Sequence, residues 1–179
     1  MENKSNQLTD DERIFLQWTE ETYSEVVMMY INTSNVIEQL ITTCIAKILV
    51  DDENAEKKII EHLIYKLNVV AKAKALIGLS ETLDKGLSNL LEIGVNEFLR
   101  IYKLRNMVAH ASLYTTKSEL KKLNPYKIAI KKTLDQPIYL DVIEIENDKI
   151  CKNKLINQFR FYLRVIEKIK KIKAEGRRP

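Results

Sequence analysis

Glycine, proline and cysteine are scarce in this sequence. Its 179 residues include four Gly, three Pro and two Cys. So few turn-forming residues argue against a turn-rich β-sandwich or barrel, and the abundance of Leu, Ile, Lys and Glu favours helices. Cys44 and Cys151 are too few for a disulfide framework, and no Cys/His spacing resembles a zinc site. We therefore expect a mainly α protein of a reducing cytoplasm, with no metal and no cofactor.

Long apolar runs are missing as well. The most apolar stretch, residues 26–31, is far too short to cross a bilayer. The N-terminus has no apolar segment behind a basic start, so no signal peptide and no membrane partner are predicted. The length and the 45% hydrophobic content suit one globular domain with a sizeable core.

Apolar residues recur at helical spacing along most of the chain, which predicts a single-domain antiparallel bundle of about four to six helices. Residues 1–8 are predicted to be disordered, and Thr9 with Glu12 forms a capping box that begins the first helix. Residues 32–35 (Asn-Thr-Ser-Asn) are poor helix formers and leave open whether the first helical region is one helix or two. A further helix is expected over about 55–77.

The pattern of residue types changes after residue 112. Between about 126 and 151, β-forming stretches alternate with turn signals at 135–137 and 147–148, which predicts a small β-hairpin. The last helix is expected over about 153–173, followed by a loose basic tail at 174–179. The predicted domain therefore covers residues 9–173.

Charge is unevenly distributed along the chain. The formal net charge is +4, but residues 149–179 hold eleven Lys or Arg against two acidic residues, which leaves −5 for the rest. Arg160, Arg164 and Lys168 follow one another at helical i, i+4 spacing and are candidate RNA-binding residues. A solvated basic face explains the same stripe equally well.

One turn of helix brings together three groups suited to phosphate chemistry. Asn106 and His110 are four residues apart and stack on one helix face, with Arg105 roughly 100° around the axis. Arginine suits a phosphate, and histidine is the acid or base whose pKa lies near neutrality. The alternative is a surface or core Arg and His without catalytic meaning, or a polar network inside a helical adaptor protein.

Arg105, Asn106 and His110 match the Arg-polar-x3-His signature late in a long helix, and the stretch resembles the HEPN domain family. The Ala109-His110-Ala111-Ser112 ending is similar as well. The resemblance implies a metal-independent endoribonuclease of a bacterial toxin or antiphage defence system. It implies RNA as substrate, a homodimer, and an antitoxin or defence-system partner protein. Some HEPN-like domains are non-catalytic dimerisation or RNA-binding modules, which is the rival hypothesis.

Two further expectations concern helix faces. The helical wheel predicts one core-facing stripe on the motif helix and a second apolar side beside Asn106 and His110 that faces a partner subunit. The first stripe comprises Leu90, Phe98, Ile101, Leu104 and Val108, and the second comprises Val95, Leu99 and Tyr102. Glu38, in an early helix, is expected to pair with a basic residue of another helix, whereas Lys72 and Lys74 suit a solvated face.

Overall fold

The computed structural model describes residues 8–114, 127–131 and 137–176. Within these ranges the chain forms five α-helices and one 3-10 turn. The helices are α1 (Asp10–Leu49), α2 (Glu53–His62), α3 (Val69–Leu83), α4 (Lys85–Ala109) and α5 (Val142–Glu175), with the 3-10 turn at Ile64–Lys66. The mainly α prediction is confirmed.

A small antiparallel sheet lies between α4 and α5 in the chain. Its strands are β1 (Ser112–Leu113), β2 (Lys127–Lys131) and β3 (Ile138–Asp141), in the order β1-β2-β3. Ile128 pairs with Leu140, and Ser112 pairs with Lys131. The predicted β-hairpin before the last helix is therefore confirmed, with β1 as an additional strand directly after α4.

The first helical region is one helix of 40 residues. Its capping box forms as predicted: the Thr9 N–H donates to the Glu12 carboxylate at 2.9 Å, and the Glu12 N–H donates to the Thr9 hydroxyl at 3.2 Å. Thr33 and Ser34 are buried, at 5% and 2% exposure. Packing around these small side chains holds the helix through a segment whose intrinsic propensity is poor, since tertiary context overrides propensity.

The prediction of one helix over 55–77 is wrong, because the chain forms two helices there. α2 ends at His62, and the buried Ile64 lies in the 3-10 turn. Asn68 then caps α3, its side-chain oxygen accepting the Ala71 N–H at 2.9 Å. The spacing of apolar residues alone misses such a break, because it does not register an N-cap residue such as Asn68.

The predicted start of the last helix is also wrong, since α5 begins at Val142 rather than near residue 153. The Asp141 carboxylate accepts the N–H groups of Ile143 and Glu144 at 2.8 and 3.3 Å, which caps the helix. Ile145 is buried at 3% exposure. A cap and a buried side chain therefore outweigh the β propensity of this segment, and residues 147–148 form no turn.

The predicted termini are only partly described. α5 extends to Glu175, so the first residues of the predicted basic tail are helical. Residues 1–7 and 177–179 lie outside the described part of the chain, and so do the predicted disorder and the end of the tail.

Contacts divide the chain into two compact units, to both of which α1, α4 and α5 contribute. The first unit comprises residues 1–31 and 104–150, and the second comprises 32–103 and 151–179. The first has a core of Val26, Met29, Tyr30, Val108, Ile128, Ile130, Leu140 and Ile145. The second has a core that includes Ile37, Ile41, Cys44, Ile45, Leu76, Leu91, Phe98, Phe159, Tyr162 and Ile166. That residues 9–173 form one domain stays a prediction.

In the second unit, α4 and α5 approach closely at Gly94. A Cβ placed there would lie 3.1 Å from Cε2 of Tyr162. The Tyr162 hydroxyl donates to the Leu90 carbonyl at 2.7 Å and accepts from the Gln158 amide. Burial raises the pKa of Tyr162, while the Gln158 hydrogen bond opposes the rise.

The expected pairing of Glu38 is confirmed, and its partner is Lys72 of α3. The two charged groups lie 2.6 Å apart, with the Lys72 side chain 3% exposed. The Lys72 ammonium also lies 5.4 Å from the centre of the Tyr65 ring. A solvated face is therefore wrong for Lys72, although Lys74 is exposed.

Within residues 8–114, 127–131 and 137–176, no helix combines the length and apolarity that a membrane span requires.

Candidate functional site

The Arg-Asn-His motif lies in the first unit, where α4 ends. Arg105 and Asn106 belong to the last turns of the helix, and His110 is the first residue after it. His110 is exposed, and the structure gives it no hydrogen-bond partner within the described residues. Its imidazole is therefore open to a ligand.

Arg105 is half-buried and is oriented by its neighbour in the chain. Its Nη1 donates to Oδ1 of Asn106 at 2.9 Å. Its Nε is buried and has no acceptor within the described part of the chain. A buried donor without a partner is costly and rare in folded proteins. Packing alone therefore does not account for a guanidinium at this position.

Tyr23 of α1 holds the turn that carries His110. Its hydroxyl lies 2.8 Å from the Val108 carbonyl oxygen and 2.9 Å from that of Ala111, so its single proton is shared between them. These carbonyls flank His110 in the chain. Burial raises the pKa of Tyr23. The hydroxyl therefore keeps the proton that both carbonyls require.

The sequence had no signal for this role of Tyr23. The two contacts join residues 85 and 88 positions apart. From spacing alone, Tyr23 is one more large side chain on an amphipathic helix. Only the packing of α1 beside the end of α4 within the first unit reveals the contact.

The predicted faces of the motif helix are wrong at two positions. Leu90, assigned to the core, is 50% exposed, whereas Val95, assigned to a partner interface, is 1% exposed. The buried side of α4 follows Leu87, Leu91, Val95, Phe98 and Ile101. A wheel gives the angles between residues but not which arc the neighbouring helices cover.

Of the predicted core stripe, Phe98, Ile101 and Val108 are buried as expected. Leu99 and Tyr102 are half-buried, and Leu104 is half-buried as well. The large apolar side chains that α4 leaves exposed are Leu90 and Ile93, the latter at 65%.

The predicted RNA-binding residues Arg160, Arg164 and Lys168 lie on α5 in the second unit, and all three are exposed. None forms an ion pair within the described ranges, and Arg160 makes a long 3.5 Å contact with Asn157. The structure places these three side chains on one helix, as expected.

Other cations of α5 have structural partners. Lys170 donates to the carbonyl of Lys47 in the last turn of α1 and to that of Val50 just after it, and lies 2.7 Å from the Asp51 carboxylate. Lys173 donates to the Leu83 carbonyl at 2.7 Å, at the end of α3. Such lysines cap helix C-termini. Part of the positive charge of α5 thus stabilises the fold.

Across the described residues, no group of three or more His, Cys, Asp or Glu side chains is arranged to hold a metal ion.

A scan against models of protein families, a search of curated proteins and a search of solved structures each found no match for this chain.

Proposed function

We propose that the protein is a metal-independent endoribonuclease of a bacterial toxin or antiphage defence system. The observation that carries the proposal is that Arg105, hydrogen-bonded to Asn106, and the exposed His110 both lie at the end of the same helix. The resemblance of these residues to the HEPN signature supplies the reaction class. We place the protein in the cytoplasm.

The reaction uses a nucleophile that the substrate already contains. The 2′-hydroxyl of the RNA attacks the adjacent phosphorus, and the bond to the 5′-oxygen breaks. His110 exchanges a proton with the attacking or leaving oxygen. Arg105 binds the scissile phosphate and stabilises its developing charge. Asn106 holds Arg105 in orientation. The products carry a 2′,3′-cyclic phosphate and a 5′-hydroxyl.

A homodimer completes this chemistry. The reaction needs one group to accept a proton and another to donate one, whereas each motif supplies a single histidine. A twofold axis that brings two motifs together provides both groups without further sequence. An antitoxin or defence-system protein would then control the activity.

The test is cleavage of a mixed RNA pool in the presence of EDTA, with the product ends identified. Wild type should cut, and Arg105→Ala and His110→Ala should each lose about a hundredfold or more of the activity. His62→Ala is the matched control, since His62 is the other histidine of the chain and is exposed at the end of α2. Activity that requires a divalent ion, or that survives His110→Ala, would contradict the proposal.

The second candidate function is a non-catalytic RNA-binding or dimerisation module. The exposed cations Arg160, Arg164 and Lys168, free of carboxylate partners in the described ranges, favour it. It predicts a gel shift with RNA and no cleavage of any RNA tried. A helical adaptor predicts neither result.

A further inference from the structure

The exposed face of α5 carries an aromatic side chain among the basic residues. Phe161 is 56% exposed. At roughly 100° per residue, Arg164 lies one turn beyond Phe161 on the same face, and Arg160 lies beside it. Lys154 and Lys168 are two turns away on either side, nearly in line with the ring. All four basic residues are exposed.

These four cations differ from their neighbours on the helix. Lys149 pairs with Glu146, Lys170 with Asp51, and Lys171 lies 4.0 Å from Glu175. The structure gives no ion pair in the described ranges to Lys154, Arg160, Arg164 or Lys168. The four cations around Phe161 are thus exposed and without an ion-pair partner in the described ranges. Glu167 is exposed at the edge of this face.

We propose that this face binds single-stranded RNA, with an unpaired base stacked on the Phe161 ring. Lys154, Arg160, Arg164 and Lys168 contact the phosphates on either side. Base–aromatic stacking beside a positively charged track is the common mode of single-strand binding. A duplex keeps its bases stacked on one another, so it offers the ring no base face. The inference rests on the proposed function for the choice of RNA as ligand.

The experiment measures binding of a fluorescein-labelled RNA of roughly 12 nucleotides, without self-complementarity, by anisotropy across a salt series. The His110→Ala protein is the parent, so that cleavage does not interfere. Phe161→Ala should weaken binding by at least about fivefold, because stacking contributes roughly 1–3 kcal/mol per base. Phe161→Tyr, which keeps the ring, should restore it.

The salt series separates stacking from charge. Phe161→Ala should leave the salt dependence unchanged, whereas Arg164→Gln should reduce the slope of log K against log salt by about 0.7. The same RNA annealed to its complement should bind Phe161→Ala and the parent equally. Ile14→Ala, which truncates another exposed apolar side chain, should bind the single strand as the parent does.

The inference is overturned if Phe161→Ala binds the single strand as tightly as the parent, or loses affinity equally for the duplex. It is overturned too if the parent binds no RNA. Its failure is distinguishable from that of the ribonuclease. Wild type that cuts no RNA, with single-strand binding dependent on Phe161, removes only the catalytic proposal. Cleavage dependent on His110, with binding indifferent to Phe161, removes only the stacking site.

Discussion

At the residue scale, the hydroxyl of Tyr23 stabilises the turn that carries His110. It donates to the carbonyls of Val108 and Ala111, on either side of His110. Without it, the two acceptors lose their shared donor while the ring of a phenylalanine still fills the same space. A substitution by phenylalanine at this position therefore measures what the hydroxyl contributes to stability, apart from the packing of the ring.

Tyr23→Phe should lower the free energy of unfolding by about 1 kcal/mol, the usual net contribution of a hydrogen bond. For a chain of this size the melting temperature falls by about 3 °C. If the proposed ribonuclease is correct, cleavage should fall as well, because the turn that holds His110 loosens. Calorimetry and the cleavage assay test both effects. Tyr65→Phe is the control, since Tyr65 is 62% exposed.

The effect of Tyr23 depends on pH with a definite sign. Its folded-state pKa is raised above the ordinary value of 10.0 by burial. The hydroxyl therefore contributes its full stability below pH 10.0 and loses that contribution as the pH rises through the folded-state pKa. The stability difference between wild type and Tyr23→Phe should be constant near neutrality and shrink above pH 10.0. A difference that grows in alkali would contradict this account.

At the element scale, two helical glycines have opposite surroundings. A Cβ at Gly78 in α3 would meet nothing within 4 Å, whereas a Cβ at Gly94 in α4 would lie 3.1 and 3.4 Å from atoms of Tyr162. Glycine costs helix stability in both places, but only at Gly94 does its small size permit the approach of α5.

Gly78→Ala should raise the free energy of unfolding by about 0.5–1 kcal/mol, because it removes a flexible residue from an exposed helix interior. Gly94→Leu should lower it by about 1–3 kcal/mol, because a large side chain forces Tyr162 and its neighbours apart. Urea unfolding of both variants measures the two changes. Equal effects of the two substitutions would show that the close approach at Gly94 has no energetic weight.

The Glu38–Lys72 pair illustrates how one element depends on another. Lys72 sits near the start of α3 with its side chain 3% exposed, while Glu38 of α1 keeps 29% exposure. Lys72, the buried partner, depends on Glu38 more than Glu38 depends on Lys72, since an unpaired buried charge is strongly destabilising. Loss of Glu38 therefore leaves α3 with a buried ammonium, whereas loss of Lys72 leaves a carboxylate that water still reaches.

At the scale of the whole molecule, the uneven charge of the chain resolves into two roles. Lys170 and Lys173 stabilise helix ends, and the cations around Phe161 are available for a polyanion.

The exposed apolar side chains of the motif helix are Leu90 and Ile93, so they replace Val95 as the residues through which α4 could meet a second copy.

We expect wild type to sediment as a dimer at tens of micromolar, roughly the range in which a stable dimer is saturated. Ile93→Lys should shift it toward the monomer, because the charge would be desolvated at the contact. Ile14→Lys, a change at a residue with similar exposure on α1, should leave the dimer intact. A monomeric wild type would argue against both the dimer and the shared active site.

The sequence by itself determined the features that short segments encode. The mainly α class follows from helical periodicity and the scarcity of Gly and Pro, and the Thr9–Glu12 capping box follows from side chains three residues apart. The hairpin and the motif residues Arg105, Asn106 and His110 were also visible there. Their physical basis is local, because neighbouring residues make the hydrogen bonds or share the helix face.

Only the tertiary structure decided which faces are covered. Helix α1 continues through residues 32–35, and α5 begins at Val142. On α4, Leu90 is exposed and Val95 is buried, the reverse of the predicted faces. The tertiary structure also paired Tyr23 with the turn at His110, and it separated the structural lysines of α5 from the free cations around Phe161. Burial and long-range hydrogen bonds depend on which elements meet, and that information is spread across residues far apart in the chain.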